Sequence, residues 1–262
     1  MSLLDTAIRA AQAAADAIRQ ARSAPLNVRS KGFRDEVTAA DFAAERAIMA
    51  VIHAAHPGHI IMSEEGGETI DYAAWPPPGA VWVIDPLDGT TNYARGIPSY
   101  ATSVAVMVDG VLEAGAIVDP ARGDLFAAAR GGGFTVNGAP ARVSVRTDFA
   151  DAVVACDWPR EPALRAQIHA VVGRMIAEAR TLRCHGSAAL NLAYVAAGWY
   201  DVYLHLTLQP WDMAAGVLML LEAGGRITRL TGEPFSLADG SVLATNGALH
   251  EAALAHARAA LP

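Results

Sequence analysis

The sequence predicts a mixed α and β protein, with an α+β first half built on an antiparallel sheet and an α/β second half. Two amphipathic helical patterns open the chain, and apolar runs joined by Asp109-Gly110 and Asn137-Gly138 follow them. Beyond these runs, short strand patterns alternate with helical ones. No low-complexity linker or internal repeat divides the sequence, so we expect residues 1–262 to form a single domain with approximate halves at 1–145 and 146–262.

The first half should begin with two helices. Apolar residues recur at helical spacing over residues 3–22, which predicts the first helix. The polar segment at 23–37 is expected to be a loop. A second helix should start at Thr38 and end before Pro57-Gly58, because proline and glycine interrupt helices.

Strands should follow these helices. Asp-Gly and Asn-Gly pairs are strongly favoured in two-residue hairpin turns, so the apolar runs around Asp109-Gly110 and Asn137-Gly138 predict antiparallel strand pairs. Residues 81–84 are apolar throughout and predict a buried strand with Asp85 at its end. The predicted strands of this half are residues 60–62, 81–84, 104–108, 111–118, 134–136 and 141–143.

Strands and helices alternate in the second half. The predicted strands are residues 153–155 and 201–206, and the predicted helices are residues 162–179, 187–197, 213–223 and 248–261. Gly198 and the pair Gly224-Gly225 follow two of these helices as C-terminal stops. The uncharged stretch between Arg183 and Asp201 contains several polar side chains, so we interpret it as a buried helix with its lead-in and expect no membrane span.

Composition and charge restrict the class of protein. Apolar residues make up 53% of the chain and charged residues 18%, which allows a substantial core and argues against disorder. The net charge is −7 and no basic stripe is visible, so we expect no direct contact with nucleic acid. The Walker A and dinucleotide-binding glycine motifs are absent, which disfavours a kinase or a nucleotide-dependent oxidoreductase.

The cysteines and the N-terminus predict where the protein resides. The chain has two cysteines, Cys156 and Cys184, which form neither a disulfide framework nor a CxxC zinc motif and are typical of a reducing cytosol. Charged residues recur at intervals through residues 1–21, which is typical of an ordinary helix rather than a signal peptide. We therefore expect a cytoplasmic protein.

The turn after the buried strand carries two carboxylates, Asp85 and Asp88. Pro86 cannot continue a strand ladder and Gly89 permits an unusual backbone conformation, so the turn can aim both carboxylates and the Leu87 carbonyl at one point. Oxygen ligands of this kind suit Mg²⁺. An Asx-turn at the end of a strand explains the same residues, so the local pattern leaves both interpretations open.

Four other side chains also have two interpretations each. Glu64 lies in an acidic pair, which is either a solvated loop or a source of one carboxylate facing the site. Asp212 precedes an apolar helix and is either its N-cap or a metal ligand. Asp41 follows Thr38 at the spacing of a capping box but could also face the site, and Thr90 is either a turn hydroxyl or part of a water-activating pair.

As an ordered set, these residues resemble the inositol monophosphatase family, a group of lithium-sensitive phosphomonoesterases. The main match is residues 82–92, which read Trp-Val-Ile-Asp-Pro-Leu-Asp-Gly-Thr-Thr-Asn. The second match is residues 211–216, which read Trp-Asp-Met-Ala-Ala-Gly. Residues 37–41, 63–65 and 186–191 match in addition and stand in the family's order.

The resemblance implies a layered αβαβα sugar-phosphatase fold, a single catalytic domain and a homodimer. It also implies Mg²⁺-dependent hydrolysis of a small phosphorylated polyol or sugar, with two to three ions bound. The implied metal ligands are Glu64, Asp85, the Leu87 carbonyl, Asp88 and Asp212. Because these carboxylates repel one another, we expect the metal-free site to be looser than the loaded one.

The resemblance further implies that Asp41, Thr90 and Glu64 are catalytic, with Asp41 and Thr90 orienting or deprotonating the attacking water. Backbone amides of Gly89 and Thr90 would contact the phosphate. The implied substrate contacts are Asp88, Gly89, Thr90, Gly186, Ala188, His205 and Asp212.

His205 departs from the family pattern, since many members have a glutamate there that binds substrate hydroxyls. The resemblance implies inositol 1-phosphate as the leading substrate. Because of His205, fructose 1,6-bisphosphate, 3′-phosphoadenosine 5′-phosphate and histidinol phosphate remain alternatives with the same chemistry. An alternative of another class is a regulatory protein that binds the transcription or ribosome-assembly machinery.

Overall fold

A computed structural model describes residues 1–66 and 75–261 of the chain. The helices in these ranges are α1 (Leu3–Ala21), α2 (Ala39–Ala55), α3 (Thr90–Arg95), α4 (Pro162–Ile176), α5 (Ala188–Ala196), α6 (Pro210–Glu222) and α7 (His250–Arg258). The strands are β1 (Arg29–Gly32), β2 (Asp35–Val37), β3 (Ile60–Ser63), β4 (Ala80–Asp88), β5 (Ala101–Val108), β6 (Val111–Val118), β7 (Leu125–Ala129), β8 (Gly133–Val136), β9 (Ala139–Pro140), β10 (Val153–Cys156), β11 (Thr181–Arg183), β12 (Val202–His205), β13 (Arg226–Thr228) and β14 (Val242–Thr245).

Two main sheets carry the fold. The larger has the order β3-β4-β5-β6-β7-β8-β9, and every neighbouring pair in it is antiparallel except β3 with β4. The smaller has the order β11-β10-β12-β14-β13, in which β10 runs parallel to both of its neighbours. The prediction of an antiparallel α+β half followed by a half with parallel strands is confirmed.

The layers follow from which side chains each strand turns to each face. In β12, Tyr203 packs into the central core with α5 and α6, whereas Val202 and Leu204 pack into an outer core with α4 and α7. Helices α1 and α2 cover the far face of the larger sheet. The order is therefore helices, sheet, helices, sheet, helices, and the predicted αβαβα architecture is confirmed.

The helix α1 buries mostly alanine, at positions 7, 10, 11, 14 and 15, together with Ile18. Small side chains let two helix backbones approach closely, which explains the extensive packing of α1 on α2. This packing matters for the site because the first turn of α2, including Asp41, faces the end of β4.

The structure corrects several expected elements. Segment 23–37 is not all loop, because β1 and β2 form a hairpin whose exposed polar residues hid the strand pattern. The strand expected at 141–143 is wrong. A two-residue turn pairs the residues that flank it, so Val136 pairs with Ala139 and β9 ends at Pro140.

Other differences concern short elements. The sequence patterns missed α3, β7, β11, β13 and β14, each of which is too short or too uniform to show a period. Helix α6 begins at Pro210 rather than residue 213, because proline fits the first turn of a helix. No helix in residues 1–66 or 75–261 is long and apolar enough to cross a membrane.

Candidate active site

Strand β4 delivers Asp85 to the edge of the larger sheet, where it is 1% exposed. Its pairing with β5 shifts between Asp85 and Asp88, so the backbone bulges at this point. The Asp85 Oδ1 accepts a hydrogen bond from the Leu87 amide at 3.0 Å, and this contact fixes the turn. Gly89 has a φ of 88°, and a Cβ there would lie 2.9 Å from the Gly186 carbonyl oxygen, so the turn requires glycine.

Asp88 is the last residue of β4, and its side chain faces the N-terminus of α5. Its carboxylate accepts hydrogen bonds from the Ser187 hydroxyl and from the backbone amides of Ala188 and Ala189. Burial raises the pKa of Asp88 to about 7, although these donors act in the opposite direction. The start of α5 therefore orients this carboxylate while leaving it in need of positive charge.

Asp212 is the third residue of α6, and its side chain belongs to the capping box at the start of that helix. Its Oδ2 accepts a hydrogen bond from the Gln209 amide at 2.7 Å, so the N-cap position belongs to Gln209 and not to Asp212. Burial raises the pKa of both Asp85 and Asp212, and the charges of Glu64 and Asp88 raise both further. The protonation of Asp85 and of Asp212 therefore depends on the charges of the neighbouring carboxylates.

Lys31, on the β1–β2 hairpin, engages the acidic pair. Its ammonium Nζ lies 2.9 Å from Glu64 Oε1 and 2.6 Å from Glu65 Oε1. Burial alone lowers the Lys31 pKa, but the charge of Glu64 and the hydrogen bonds to both glutamates outweigh it and leave this pKa raised. Burial raises the pKa of Glu65 to about 7. The sequence patterns gave no sign of Lys31, because it lies in the segment expected to be a loop.

Within residues 1–66 and 75–261, no group of three or more acidic, histidine or cysteine side chains is arranged closely enough to hold a metal ion. The donor set nevertheless fits Mg²⁺, since it consists of carboxylate oxygens and a backbone carbonyl, and the pKa values of Asp85, Asp88 and Asp212 are raised. Repulsion between like charges keeps such a set apart until a cation binds.

Thr90 and Asp41 form a hydrogen-bonded pair beside the carboxylates. The Thr90 hydroxyl lies 3.0 Å from Asp41 Oδ1 and 3.0 Å from the Leu87 carbonyl, and its single proton can serve one of them at a time. Asp41 Oδ2 accepts hydrogen bonds from the Thr38 amide and hydroxyl, so the capping box is present as well. Burial raises the pKa of Asp41. A raised pKa and a fixed hydroxyl suit this pair to proton transfer.

These groups meet in one cleft with a volume of about 1070 Å³. Of the residues predicted from the sequence, those that line it are Glu64, Asp85, Leu87, Asp88, Gly89, Thr90, Gly186, Ala188, His205 and Asp212. Asp41 is not on the wall, because it lies behind Thr90 and is 1% exposed. Any action of Asp41 on a bound molecule must therefore pass through the Thr90 hydroxyl.

The wall opposite β4 is formed by the ends of β10 and β12. Burial lowers the pKa of His205 to about 4, so its imidazole is neutral, and its Nδ1 accepts a hydrogen bond from the Thr207 amide at 3.1 Å. Its Nε2–H is therefore the donor. A glutamate at this position would only accept hydrogen bonds, so the polarity of this contact is reversed.

Asp157 is a site residue that the sequence patterns missed. It follows β10 and lines the cleft, and its Oδ1 accepts a hydrogen bond from the Gly186 amide at 2.7 Å. Its Oδ2 accepts from Asn191 Nδ2 at 2.6 Å. The available signal was its position at a strand end, where ligand sites of α/β proteins gather.

The mouth of the cleft is spanned by an ion pair. The Arg160 guanidinium contacts both oxygens of Asp35, at 2.8 and 2.9 Å, and so ties the β1–β2 hairpin to the segment after β10. Arg34 donates to the Arg160 carbonyl at 3.0 Å. The hairpin that carries Lys31 is thereby held over the carboxylates.

Comparisons with known proteins agree with this fold and cleft. The family model described as "Inositol monophosphatase family" matches residues 1–261. The Nus factor SuhB of Escherichia coli is 38% identical over 259 residues, covering 98% of this chain and 96% of its own. The crystal structure of the extragenic suppressor protein suhB from Bartonella henselae has a TM-score of 0.92 at 34% identity and covers 100% of both chains.

A third comparison involves a ligand complex. The crystal structure of inositol monophosphate-bound SaIMPase-II has a TM-score of 0.82 at 28% identity, covering 97% of this chain and 93% of its own. The agreement extends over the whole chain in sequence and in fold. The chain therefore belongs to the inositol monophosphatase family and is a phosphatase of that type.

Proposed function

We propose that this chain is a Mg²⁺-dependent phosphatase that hydrolyses inositol 1-phosphate to inositol and phosphate. The observation that carries the proposal is the meeting of Asp85, Asp88, Asp212 and Glu64 in one cleft with the Thr90–Asp41 pair. Family membership supports the phosphatase class and the use of Mg²⁺. The bound inositol monophosphate in SaIMPase-II supports this choice of substrate.

The carboxylates divide into two overlapping ligand sets. Glu64, Asp85 and the Leu87 carbonyl would hold a first ion, Asp85, Asp88 and Asp212 a second, and Glu64 could help hold a third. Bound Mg²⁺ supplies positive charge for the phosphoryl oxygens and makes water more acidic. The donors around Asp88 hold that side chain in place for this purpose.

The remaining steps belong to the chain's own side chains. The Thr90 hydroxyl would orient the attacking water and accept a proton from it while passing its own proton to Asp41. The amides of Gly89 and Thr90 would donate to the phosphate. On the alcohol side, the neutral His205 would donate its Nε2–H to a substrate hydroxyl, with Gly186 and Ala188 bordering the same pocket.

Phosphate release across a substrate panel tests the proposal. The panel contains inositol 1-phosphate, fructose 1,6-bisphosphate, 3′-phosphoadenosine 5′-phosphate and histidinol phosphate, each with Mg²⁺ and with excess chelator. We expect inositol 1-phosphate to be hydrolysed fastest and the chelator to abolish release. A much faster rate on another member would overturn the substrate, and full activity in chelator would overturn the metal mechanism.

A second candidate function is favoured by the relatives named Nus factor SuhB. Under it, the chain would act by binding the transcription machinery through a protein partner. Asp88→Asn separates the two functions, because it removes a carboxylate from the cleft without altering the outer surface. Loss of turnover with an unchanged phenotype in cells would favour the binding role, whereas parallel loss of both would favour the enzyme.

The proposal carries three further expectations. Li⁺ should inhibit by competing for one metal position, as the family resemblance implies. Sedimentation should show a homodimer. The two free thiols favour a cytoplasmic location, since they are typical of reducing compartments.

A further inference from the structure

The chain's two cysteines lie side by side, and one of them, Cys184, lines the cleft. Cys156 ends β10, Cys184 follows β11, and their sulfur atoms are 3.6 Å apart. The two strands are parallel with Ala155 opposite Arg183, and Cys156 and Cys184 are the residues that directly follow this last pair. Neighbouring strands are about 4.8 Å apart, which lies within the range of Cα separations that a disulfide spans.

The two thiols have different surroundings. Cys156 is fully buried in the outer core, whereas Cys184 is exposed and lines the cleft. The hydrogen bond from the Cys156 thiol lowers the pKa of Cys184 to about 7, while the same contact and burial raise the pKa of Cys156. A thiolate is the attacking species in thiol–disulfide exchange, so Cys184 is the thiol that reacts first.

We propose that Cys156 and Cys184 form a reversible dithiol–disulfide pair that a low-molecular-weight disulfide oxidises. The Cys184 thiolate attacks one sulfur of oxidised glutathione, which forms a mixed disulfide and releases one glutathione thiolate. The Cys156 thiol then loses its proton and attacks the Cys184 sulfur, which expels the second glutathione. The two protein thiols are oxidised, and one glutathione disulfide is reduced to two glutathione molecules.

The segment that carries Cys184 connects directly to the cleft. The His185 carbonyl accepts a hydrogen bond from Asn92 Nδ2 at 2.7 Å, the Gly186 amide donates to Asp157, and the Ser187 hydroxyl donates to Asp88. A covalent bond must bring the sulfurs closer than 3.6 Å. Because the core holds Cys156, Cys184 has to move and will pull on these contacts.

Oxidation should therefore lower the phosphatase activity, and this consequence rests on the proposed function. The expected loss is severalfold, because Gly186 and Ser187 leave Asp157 and Asp88, while Asp85 keeps its hydrogen bond from the Leu87 amide. Reduction with dithiothreitol should restore the rate. The formation of the disulfide itself does not depend on which substrate the cleft takes.

Mass spectrometry of the intact, folded protein after exposure to oxidised glutathione tests the disulfide. We expect the wild type to lose two hydrogens and both titratable thiols. Cys156→Ser should stop at one glutathione adduct on Cys184, and Cys184→Ser should stay unmodified because its remaining thiol is buried. Cys156→Ala replaces Cys156→Ser if the buried hydroxyl weakens folding. Wild type that keeps both thiols, or Cys184→Ser that reacts as fast as Cys156→Ser, would overturn the proposal.

Phosphate release from the same samples tests the consequence. The oxidised wild type should be severalfold slower than the reduced wild type. Cys184→Ser, which stays unmodified, should hydrolyse the substrate at the same rate before and after exposure to oxidised glutathione. Equal rates for fully oxidised and fully reduced wild type would overturn the coupling to activity. A reduced protein that hydrolyses no phosphate ester would instead overturn the proposed function, and the mass measurement would still decide the disulfide.

Discussion

The ammonium of Lys31 lies 2.9 Å from Glu64 Oε1, in the cleft where Glu64 is predicted to bind metal. Lys31 is the only lysine in the chain. Its charge offsets that of the acidic pair, so a divalent cation must compete with it for Glu64. A partly buried ion pair of this kind contributes up to about 1 kcal/mol, which corresponds to roughly fivefold in an equilibrium constant.

Lys31→Met should therefore tighten Mg²⁺ binding by up to about fivefold, because the competing cation is removed. Isothermal titration calorimetry on the metal-free protein measures the dissociation constant directly. Lys31→Arg keeps the charge and is the matched control, with affinity close to that of the wild type. Weaker binding in Lys31→Met than in the wild type would show that Lys31 assists the site rather than competing for it.

Thr90 is expected to act in turnover, whereas its neighbour Thr91 is not. Thr90→Ala removes the hydroxyl that connects Asp41 to the cleft, and kcat should fall by about 10² to 10⁴ with little change in KM. Thr91→Ala is the control, since the exposed Thr91 side chain donates to Glu36 at 3.3 Å rather than to Asp41. Steady-state phosphate release gives both constants. Similar kcat values for the two variants would remove Thr90 from the mechanism.

Ser187 should couple the stability of α5 to the metal site. Its hydroxyl accepts a hydrogen bond from the Leu190 amide as the N-cap and donates to Asp88. Ser187→Ala should lower the free energy of unfolding by about 1 kcal/mol. It should also raise, severalfold, the Mg²⁺ concentration needed for half-maximal activity, because Asp88 loses a donor that orients it.

Ser2→Ala provides the matched control for this variant. Ser2 caps α1 by accepting a hydrogen bond from the Asp5 amide at 3.0 Å, far along the chain from the cleft residues. Its loss should affect urea unfolding and leave the Mg²⁺ dependence of phosphate release unchanged. If both serine variants showed the wild-type Mg²⁺ dependence, the proposed orientation of Asp88 by Ser187 would be wrong.

The pH dependence of stability should report on His250. This side chain is fully buried between the hydroxyls of Thr228 and Thr245, and burial lowers its pKa to about 4. In the unfolded chain a histidine has a pKa of about 6.5. Between these values the unfolded chain binds more protons, so the free energy of unfolding falls as the pH drops from 6.5 toward 4. The contribution is on the order of 2 to 3 kcal/mol.

Urea unfolding at pH 7 and at pH 4.5 measures this effect. His250→Gln should lose less stability than the wild type across the window, because it has no proton to take up. His53→Gln alters an exposed histidine and should follow the wild type. Parallel curves for His250→Gln and the wild type would mean that other groups dominate the pH dependence.

Local sequence patterns predicted the parts of the site whose contacts lie within a single turn of the chain. The Asp85 to Asp88 turn and the Thr38–Asp41 capping box were visible because their contacts span only a few residues. The contact of Asp157 with Gly186 spans 29 residues and depends on the pairing of β10 with β11. Three residues are too few to show the period of a strand, so neither β11 nor this contact could be predicted from the sequence.

Lys31 was missed for a related reason. Its hairpin consists mostly of polar residues and therefore has no apolar alternation. It nevertheless places the Lys31 ammonium against Glu64, which lies 33 residues further along the chain. The layered fold was easier to anticipate, because long apolar helices and the turn pairs at Asp109-Gly110 and Asn137-Gly138 dominate the sequence. Contacts across the cleft could not be predicted in the same way, because they depend on how the layers pack against one another.

His205 offers a hydrogen-bond donor where a glutamate would offer acceptors, and its effect on substrate choice should be separable from the chemistry at the phosphate. The neutral imidazole offers one donor, whereas a glutamate would offer acceptors for two neighbouring hydroxyls of a polyol. His205→Glu should therefore lower KM for inositol 1-phosphate several times. The rate on para-nitrophenyl phosphate, which has no hydroxyl on the alcohol side, should change little.

The ratio of kcat/KM for the two substrates measures this specificity. His205→Gln is the control, since it keeps a donor without adding charge and should leave the ratio near that of the wild type. The carboxylate also lies near other acidic groups, so both rates should be measured at saturating Mg²⁺. If His205→Glu lowered both rates equally, His205 would support the cleft wall rather than read the alcohol, and the choice of substrate would depend on Asp157 and its neighbours.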